Sequence, residues 1–241
     1  MTKLAVVIPC FNEQDNIAAF VQSLQLLKRE HELDLTPIVV NDCSSDNSAT
    51  VLPQLKDVVV LHLPINLGIG GAVQTGFRFA LQHGFDAAFQ MDGDGQHPAS
   101  ELPKLLIVWE KENPDVVIGS RFLTFEGFQS TRLRRIGIVW FSRLLRLISG
   151  QNITDPTSGF RLLNRKAMQI VDKYYPIEYP EPEILTHFLH RKLTVREVQV
   201  EMSERLGGVS SIKSWKSAYY MLKVTAGILF SKIRLMIYDK H

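Results

Sequence analysis

The sequence predicts an α/β fold, a mostly parallel sheet flanked by helices on both faces. Two observations carry the prediction. Over the first 120 residues, short continuous apolar runs alternate with helix-length amphipathic segments, the signature of βα units whose strands are buried on both sides. The whole chain, 241 residues with 45% hydrophobic and 22% charged, shows no repeat or low-complexity linker, which excludes disordered and collagen-like classes and permits a real core. At ~150 residues per domain, one large domain with an appendage fits this length.

Residues 4–8 (LAVVI) read as a buried strand, and a helix follows over about 15–30. Residues 37–40 form a second strand, with a short helix at 46–55 for which Ser45 or Asp46 could act as cap. A third strand at 58–61 leads into a helix at 69–83, a fourth at 87–91 into a helix at 100–111, and a fifth lies at 115–118. The second half is less regular. An Arg-rich amphipathic helix is expected over 132–148 and further helices over 164–173 and 181–191. The alternation of Val198, Val200 and Met202 with Gln199 and Glu201 marks a half-buried strand. A long helix ends the chain.

Net charge is only +2, but residues 120–150 carry +5 and residues 203–241 another +5, which leaves −8 for the rest. Two basic segments on an acidic body imply a face that meets something anionic. Because those segments are apolar-rich, nucleic acid is not expected as a partner. Two cysteines, Cys10 and Cys43, are too few for a disulfide framework or a four-ligand zinc site. No stretch reaches the ~20 apolar residues of a membrane span, and the N-terminus does not read as a signal peptide. The expected location is cytoplasmic, peripheral on the inner face of the membrane.

In parallel sheets ligands sit beyond the carboxyl ends of the strands. Three polar clusters stand there: Pro9-Cys-Phe-Asn-Glu13, Asn41-Asp-Cys-Ser-Ser-Asp46 and Asp92-Gly-Asp-Gly-Gln-His97. Asp92 and Asp94, one residue apart on extended chain, project to the same side. Two hard oxygen ligands that leave positions open suit Mg²⁺ or Mn²⁺ holding a diphosphate. An EF-hand is excluded, since its sixth and twelfth positions here are His97 and Pro103. Asn66-Leu-Gly-Ile-Gly70 fails the dinucleotide pattern, with Val73 where its third Gly belongs, and reads as a tight turn and helix start whose amides could lie near a ligand.

These motifs, with Gly119-Ser-Arg121 and Asp155-Pro-Thr-Ser-Gly-Phe-Arg161, resemble in order and spacing the inverting family 2 glycosyltransferases of Rossmann-like GT-A fold. The likeness is to the polyprenyl-phosphate sugar transferases related to dolichyl-phosphate mannose synthase. It implies a catalytic domain over residues 1–210, followed by an amphipathic helix over 211–241 for membrane or subunit association. It implies that Pro9, Phe11, Glu13, Asp42 and Asp92 bind the donor, that Arg121 and Arg205 lie near phosphates, and that Asp155 and Asp94 are the catalytic carboxylates. Asp92, Asp94 and Gln96 would hold the divalent cation. Asn41-Asp42 departs from the paired Asp of many relatives and leaves Asp42 to do the nucleotide work.

The implied reaction moves a sugar from a nucleotide sugar, UDP-linked by preference and with glucose or N-acetylglucosamine favoured, to undecaprenyl or another polyprenyl phosphate. Cell-wall or surface glycan synthesis would use the product. A saccharide or other lipid acceptor is one alternative, and a non-catalytic nucleotide-sugar-binding subunit of a membrane complex is another. At 100° per residue Arg132, Arg135, Arg143 and Arg146 share one flank of their helix, while Leu133, Ile136, Trp140, Leu144 and Leu147 share another, as in a helix lying on a membrane surface. The C-terminal helix carries two apolar stripes. One runs through Trp215, Tyr219, Leu222, Ala226, Leu229 and Ile233, and the other through Met221, Val224, Ile228 and Leu235. One stripe docks on the domain; the second needs a bilayer, another copy of the chain or a small membrane protein.

Overall fold

The computed structural model describes residues 1–124, 132–203 and 214–238. Strand β1 (Lys3–Cys10) is followed by helix α1 (Ile17–Glu30) and strand β2 (Asp34–Asn41). Helix α2 (Ser48–Val51) is a single turn running into a 3-10 turn (Leu52–Gln54). Then come β3 (Val59–His62), α3 (Gly68–Gln82), β4 (Ala87–Gln90), a 3-10 turn (Ala99–Glu101), α4 (Leu102–Glu112) and β5 (Val116–Ser120). The second half holds α5 (Arg132–Ser149), β6 (Arg161–Asn164), α6 (Arg165–Lys173), α7 (Pro180–His190), β7 (Val195–Gln199) and α8 (Ser214–Tyr238).

The strands lie in one sheet in the order β3-β2-β1-β4-β6-β5-β7. Every pairing is parallel except those of β6, which runs antiparallel to both β4 and β5. Side-chain alternation sends β1 into two cores. Ala5 and Val7 pack with Ile38, Phe77 and Phe188 on one face, and Leu4, Val6 and Ile8 pack with Phe20, Leu24 and Leu105 on the other. This two-sided burial is why the strands read as continuous apolar runs.

Two differences from the expected elements stand out. β6 was not expected. The last strand pairs with β5 from Val195 to Gln199, three residues earlier than the alternation suggests. Beyond it Val200 and Met202 stay buried as the chain crosses toward β4, where the Ser203 N–H donates to the Gln96 carbonyl at 3.1 Å. The apolar alternation therefore marks core contact past the end of the ladder.

α8 packs on α7 and α5. Val224, Ile228 and Leu235 are buried, with Met221 half-buried against the same core. This is the second of the two apolar stripes. Of the first, Tyr219, Leu222, Leu229 and Ile233 are exposed, together with Phe230, Met236 and Ile237. On α5 the buried face is Ile138, Phe141 and Leu145, while Ile136, Trp140 and Leu147 face outward. Trp140 Nε1 donates to Thr225 Oγ1 at 2.9 Å, which ties α5 to α8. Among the described residues no helix is long and apolar enough to cross a membrane.

Candidate active site at the carboxyl edge of the sheet

The turns after β1 and β2 are stitched into one unit. Asn12 adopts a left-handed backbone (φ 58°), and its Oδ1 accepts from the Ser45 N–H at 2.8 Å and the Asp46 N–H at 3.3 Å. The amides of Glu13 and Gln14 donate to Ser48 Oγ and Asp46 Oδ2. Asp46 also accepts from the Ser48 amide in a local turn, but neither Ser45 nor Asp46 is the cap expected for the short helix: its N-cap is Asn47, which makes no side-chain capping bond. Burial opposes ionisation of Asp46, but the bonds from Ser48 and Gln14 outweigh it and hold its carboxyl below the usual range.

On this scaffold Pro9 and Glu13 are half-buried and Phe11 is 48% exposed. Asp42 is buried, and its Oδ1 accepts from the Leu67 N–H at 2.7 Å, so the residue shapes the turn before α3. Gly68 takes the left-handed backbone of that turn (φ 76°), and Gly70 serves packing. The Gly70 N–H donates to the Ile177 carbonyl at 3.2 Å, and a Cβ at Gly70 would stand 2.1 Å from the Pro176 carbonyl oxygen. The Gly70 amide is thus committed to the protein's own backbone.

Asp92, Asp94 and Gln96 lie in the turn after β4. Asp94 is buried, and its Oδ1 accepts from the Gln96 N–H at 3.0 Å, so residues 93–96 form a turn rather than the extended chain expected for the Asp92–Asp94 pair. His97 is buried, stacked on Phe160, and its Nδ1 accepts from the Asp92 N–H at 2.9 Å. A nitrogen accepting there carries no proton, so His97 anchors the turn through its neutral ring. A Cβ on Gly159 would stand 3.6 Å from Asp92 Oδ2, so the end of the segment that begins at Asp155 lies against Asp92. Two carboxylates and the Gln96 amide oxygen are hard donors of the kind Mg²⁺ and Mn²⁺ accept. The described residues hold no group of three or more His, Cys, Asp or Glu that could bind a metal. A cation here would take its remaining ligands from substrate or water.

Asp155 is fully buried and gripped by Arg121. Nε donates to Oδ2 at 2.7 Å and Nη2 to Oδ1 at 2.8 Å, and Thr157 Oγ1 donates to Oδ1 at 3.1 Å. Burial works against the guanidinium charge, yet the Asp155 carboxylate, with Asp92 contributing, raises the Arg121 pKa above its ordinary value. Arg121 therefore stands within electrostatic reach of both acidic groups.

Two further charges complete the site. Glu197 on β7 accepts from the amides of Thr154 and Asp155. Arg161 is buried and donates to the carbonyls of Ser158, Pro156 and Glu181, with Nη1 lacking a hydrogen-bond partner. The structure thus pairs Arg121 with Asp155 and sets Asp92 within electrostatic reach of Arg121, with Asp94 and Gln96 in the same turn as Asp92. Pro9 lies near the end of β1, and Phe11, Glu13 and Asp42 lie on the turns after β1 and β2. Arg205 lies outside the described residues.

Residues 5–171 match the sequence model of Glycosyl transferase family 2. The chain is similar to the UDP-N-acetylglucosamine–dolichyl-phosphate N-acetylglucosaminyltransferase of Methanococcus voltae, with 27% identity over 81% of this chain and 84% of that protein. It is also similar to the undecaprenyl-phosphate mannosyltransferase of Micrococcus luteus (31%, 70% of each chain). A third relative is the bactoprenol glucosyl transferase of Shigella phage SfX (24%, 89% of this chain and 68% of that protein). Among solved structures, the glucosyl-3-phosphoglycerate synthase of Mycobacterium tuberculosis with Mn²⁺, UDP and product shares the fold. Its TM-score is 0.71 at 17% identity, covering 96% of this chain and 80% of that one.

Proposed function

Since the chain belongs to glycosyl transferase family 2 and is related to polyprenyl-phosphate sugar transferases, we propose that it moves a hexose from a nucleoside diphosphate sugar to a polyprenyl phosphate. Inversion at the anomeric carbon is part of the reading. A UDP donor, with glucose or N-acetylglucosamine, and undecaprenyl phosphate are the favoured pair. The observation that supports the reading is the Arg121–Asp155 pair with Asp92 in electrostatic reach, at the strand end whose turn also bears Asp94.

Displacing a nucleoside diphosphate builds negative charge on its leaving oxygens. Mg²⁺ or Mn²⁺ bound by Asp92, Asp94 and Gln96 would neutralise that charge. Arg121, held rigid by Asp155, supplies a fixed positive charge near either phosphate. Phe11 is exposed enough to stack on a base, with Pro9, Glu13 and Asp42 shaping the pocket. Asp155 already accepts four hydrogen bonds, three of them from Arg121. An acceptor phosphate is ionised near neutral pH and needs no base. Both facts support a positioning role for Asp155 rather than proton abstraction. The outward apolar residues of α5 and α8, rimmed by Arg143, Arg146, Lys232 and Arg234, support peripheral binding to the anionic cytoplasmic leaflet.

The test is a donor screen with purified protein, Mg²⁺ or Mn²⁺, detergent-dispersed undecaprenyl phosphate and radiolabelled nucleotide sugars. Label should enter the organic phase from one donor, and disappear with EDTA or in Asp94→Ala. Nucleotide-sugar binding without transfer, in detergent and in native membranes alike, would overturn the proposal.

A further inference from the structure

We infer that Glu197 is a positioning residue for transfer, whose half-buried carboxylate fixes the Arg121–Asp155 pair by holding residues 154 and 155 on β7. The inference rests on the functional reading above for Arg121 and Asp155.

Glu197 sits opposite Ile118 in the parallel ladder between β5 and β7, and Arg121 follows β5 directly. The 154–155 segment therefore runs beside the two strands that bear the cation and the carboxylate. Glu197 Oε2 accepts from the Thr154 N–H at 2.8 Å, and Oε1 accepts from Thr154 Oγ1 and the Asp155 N–H, both at 2.9 Å. All three bonds go to the residue that enters the site and the one before it.

Directionality extends the chain. Because the Thr154 hydroxyl proton is spent on Glu197, Ser120 is the donor in its 2.9 Å bond to Thr154 Oγ1. Ser120 Oγ in turn accepts from the Phe122 N–H at 3.3 Å. One directed network thus joins both sides of Arg121 to both sides of the Thr154–Asp155 peptide.

The tie uses both side-chain oxygens as acceptors, which a carboxylate supplies and a neutral amide does not. Burial, with Asp155 adding repulsion, raises the Glu197 pKa above the ordinary carboxylate range. A second acid close to Asp155 has a desolvation cost. Concentrating such a cost around one ion pair is characteristic of sites that need exact placement. Glutamine keeps the shape but turns an NH₂ toward a backbone N–H, which pushes residues 154–155 out of place. Displacements near 1 Å at reacting groups can cost about 100-fold in rate.

The test measures kcat, donor KM and nucleotide-sugar affinity in detergent for wild type, Glu197→Gln, Thr154→Val, Arg121→Lys and the Arg121→Lys/Glu197→Gln double variant. Glu197→Gln should lower kcat at least ~10-fold, with donor KM and affinity within about 2-fold. Thr154→Val, which removes a single hydroxyl, should shift kcat in the same direction but less. The double variant should lose little beyond Arg121→Lys, as for groups acting through one pair. Wild-type kcat in folded Glu197→Gln, or additive losses in the double variant, would overturn the inference. If Arg121→Lys matches wild type, the underlying reading of Arg121 fails instead, and the two failures are told apart by that variant.

Discussion

His187 on α7 is a buried base with no hydrogen-bond partner on either ring nitrogen, and its ring stacks on Tyr174 at 4.3 Å. Burial, reinforced by the nearby Arg191, Arg234 and His190, lowers its pKa from 6.5 to about 4. The unfolded chain therefore binds a proton that the folded chain refuses between those values, so stability falls as pH drops from about 6.5 toward 4. The full linkage is about 3 kcal/mol. His187→Phe keeps the stack and removes the titration. Urea denaturation at pH 7.5 and pH 4.5 should show a smaller loss in this variant than in wild type, and equal losses would refute the assignment. At this scale Asp92 and Asp94 are legible as a polar cluster beyond a strand end, whereas Arg121 and Asp155 are legible only through the motifs that carry the family resemblance. Glu197 and His187 stay hidden, because their roles depend on which amides and rings face them across the fold. The only local sign of Glu197 is an acid on the same strand face as buried Val195.

The C-terminal helix makes the corresponding point about elements. Periodicity gives α8 two apolar stripes but not the one that docks, and packing on α7 decides. Glu183 reaches across to Ser231 Oγ at 2.7 Å while also accepting from the Tyr174 hydroxyl at 2.6 Å. Gly227 makes room, since a Cβ there would stand 2.7 Å from Glu183 Oε2. This registers Ile228 inward and Leu229 outward. Ile228→Ala should therefore cost about 2–5 kcal/mol, and Leu229→Ala less than about 0.5 kcal/mol, measured by chemical denaturation. Comparable costs would mean that the helix docks by the other stripe. β6 is the element the sequence concealed. Its four residues follow the Asp155 loop and end at Asn164, whose side chain caps α6 at 2.9 Å. Leu162-Leu163 is too short an apolar run to separate a strand from a helix start. The parallel βα units of the first half, each with a full apolar strand, were legible.

At the scale of the whole molecule, the carboxyl edge that carries the acidic turns is a different surface element from the outward faces of α5 and α8. Arg143, Arg146, Lys232 and Arg234 lie on the helices that bear this apolar face. A lipid-phosphate acceptor would need its headgroup at Arg121 while its chain stays in the bilayer, so the same orientation must satisfy both regions. Apolar contact and charge attraction then contribute separately, and experiment can divide them. Sedimentation with vesicles containing about 30% anionic lipid should carry the protein down at low salt. Binding should weaken at 0.5 M NaCl, where screening shortens to a few ångströms, on the order of 4 Å. Phe230→Glu and Leu147→Glu, at positions 71% and 84% exposed, should reduce binding at every salt concentration, with stability near wild type because neither side chain is in the core. If both variants still sediment like wild type, the apolar faces of α5 and α8 do not contact lipid, and a second copy or a protein partner must cover them instead.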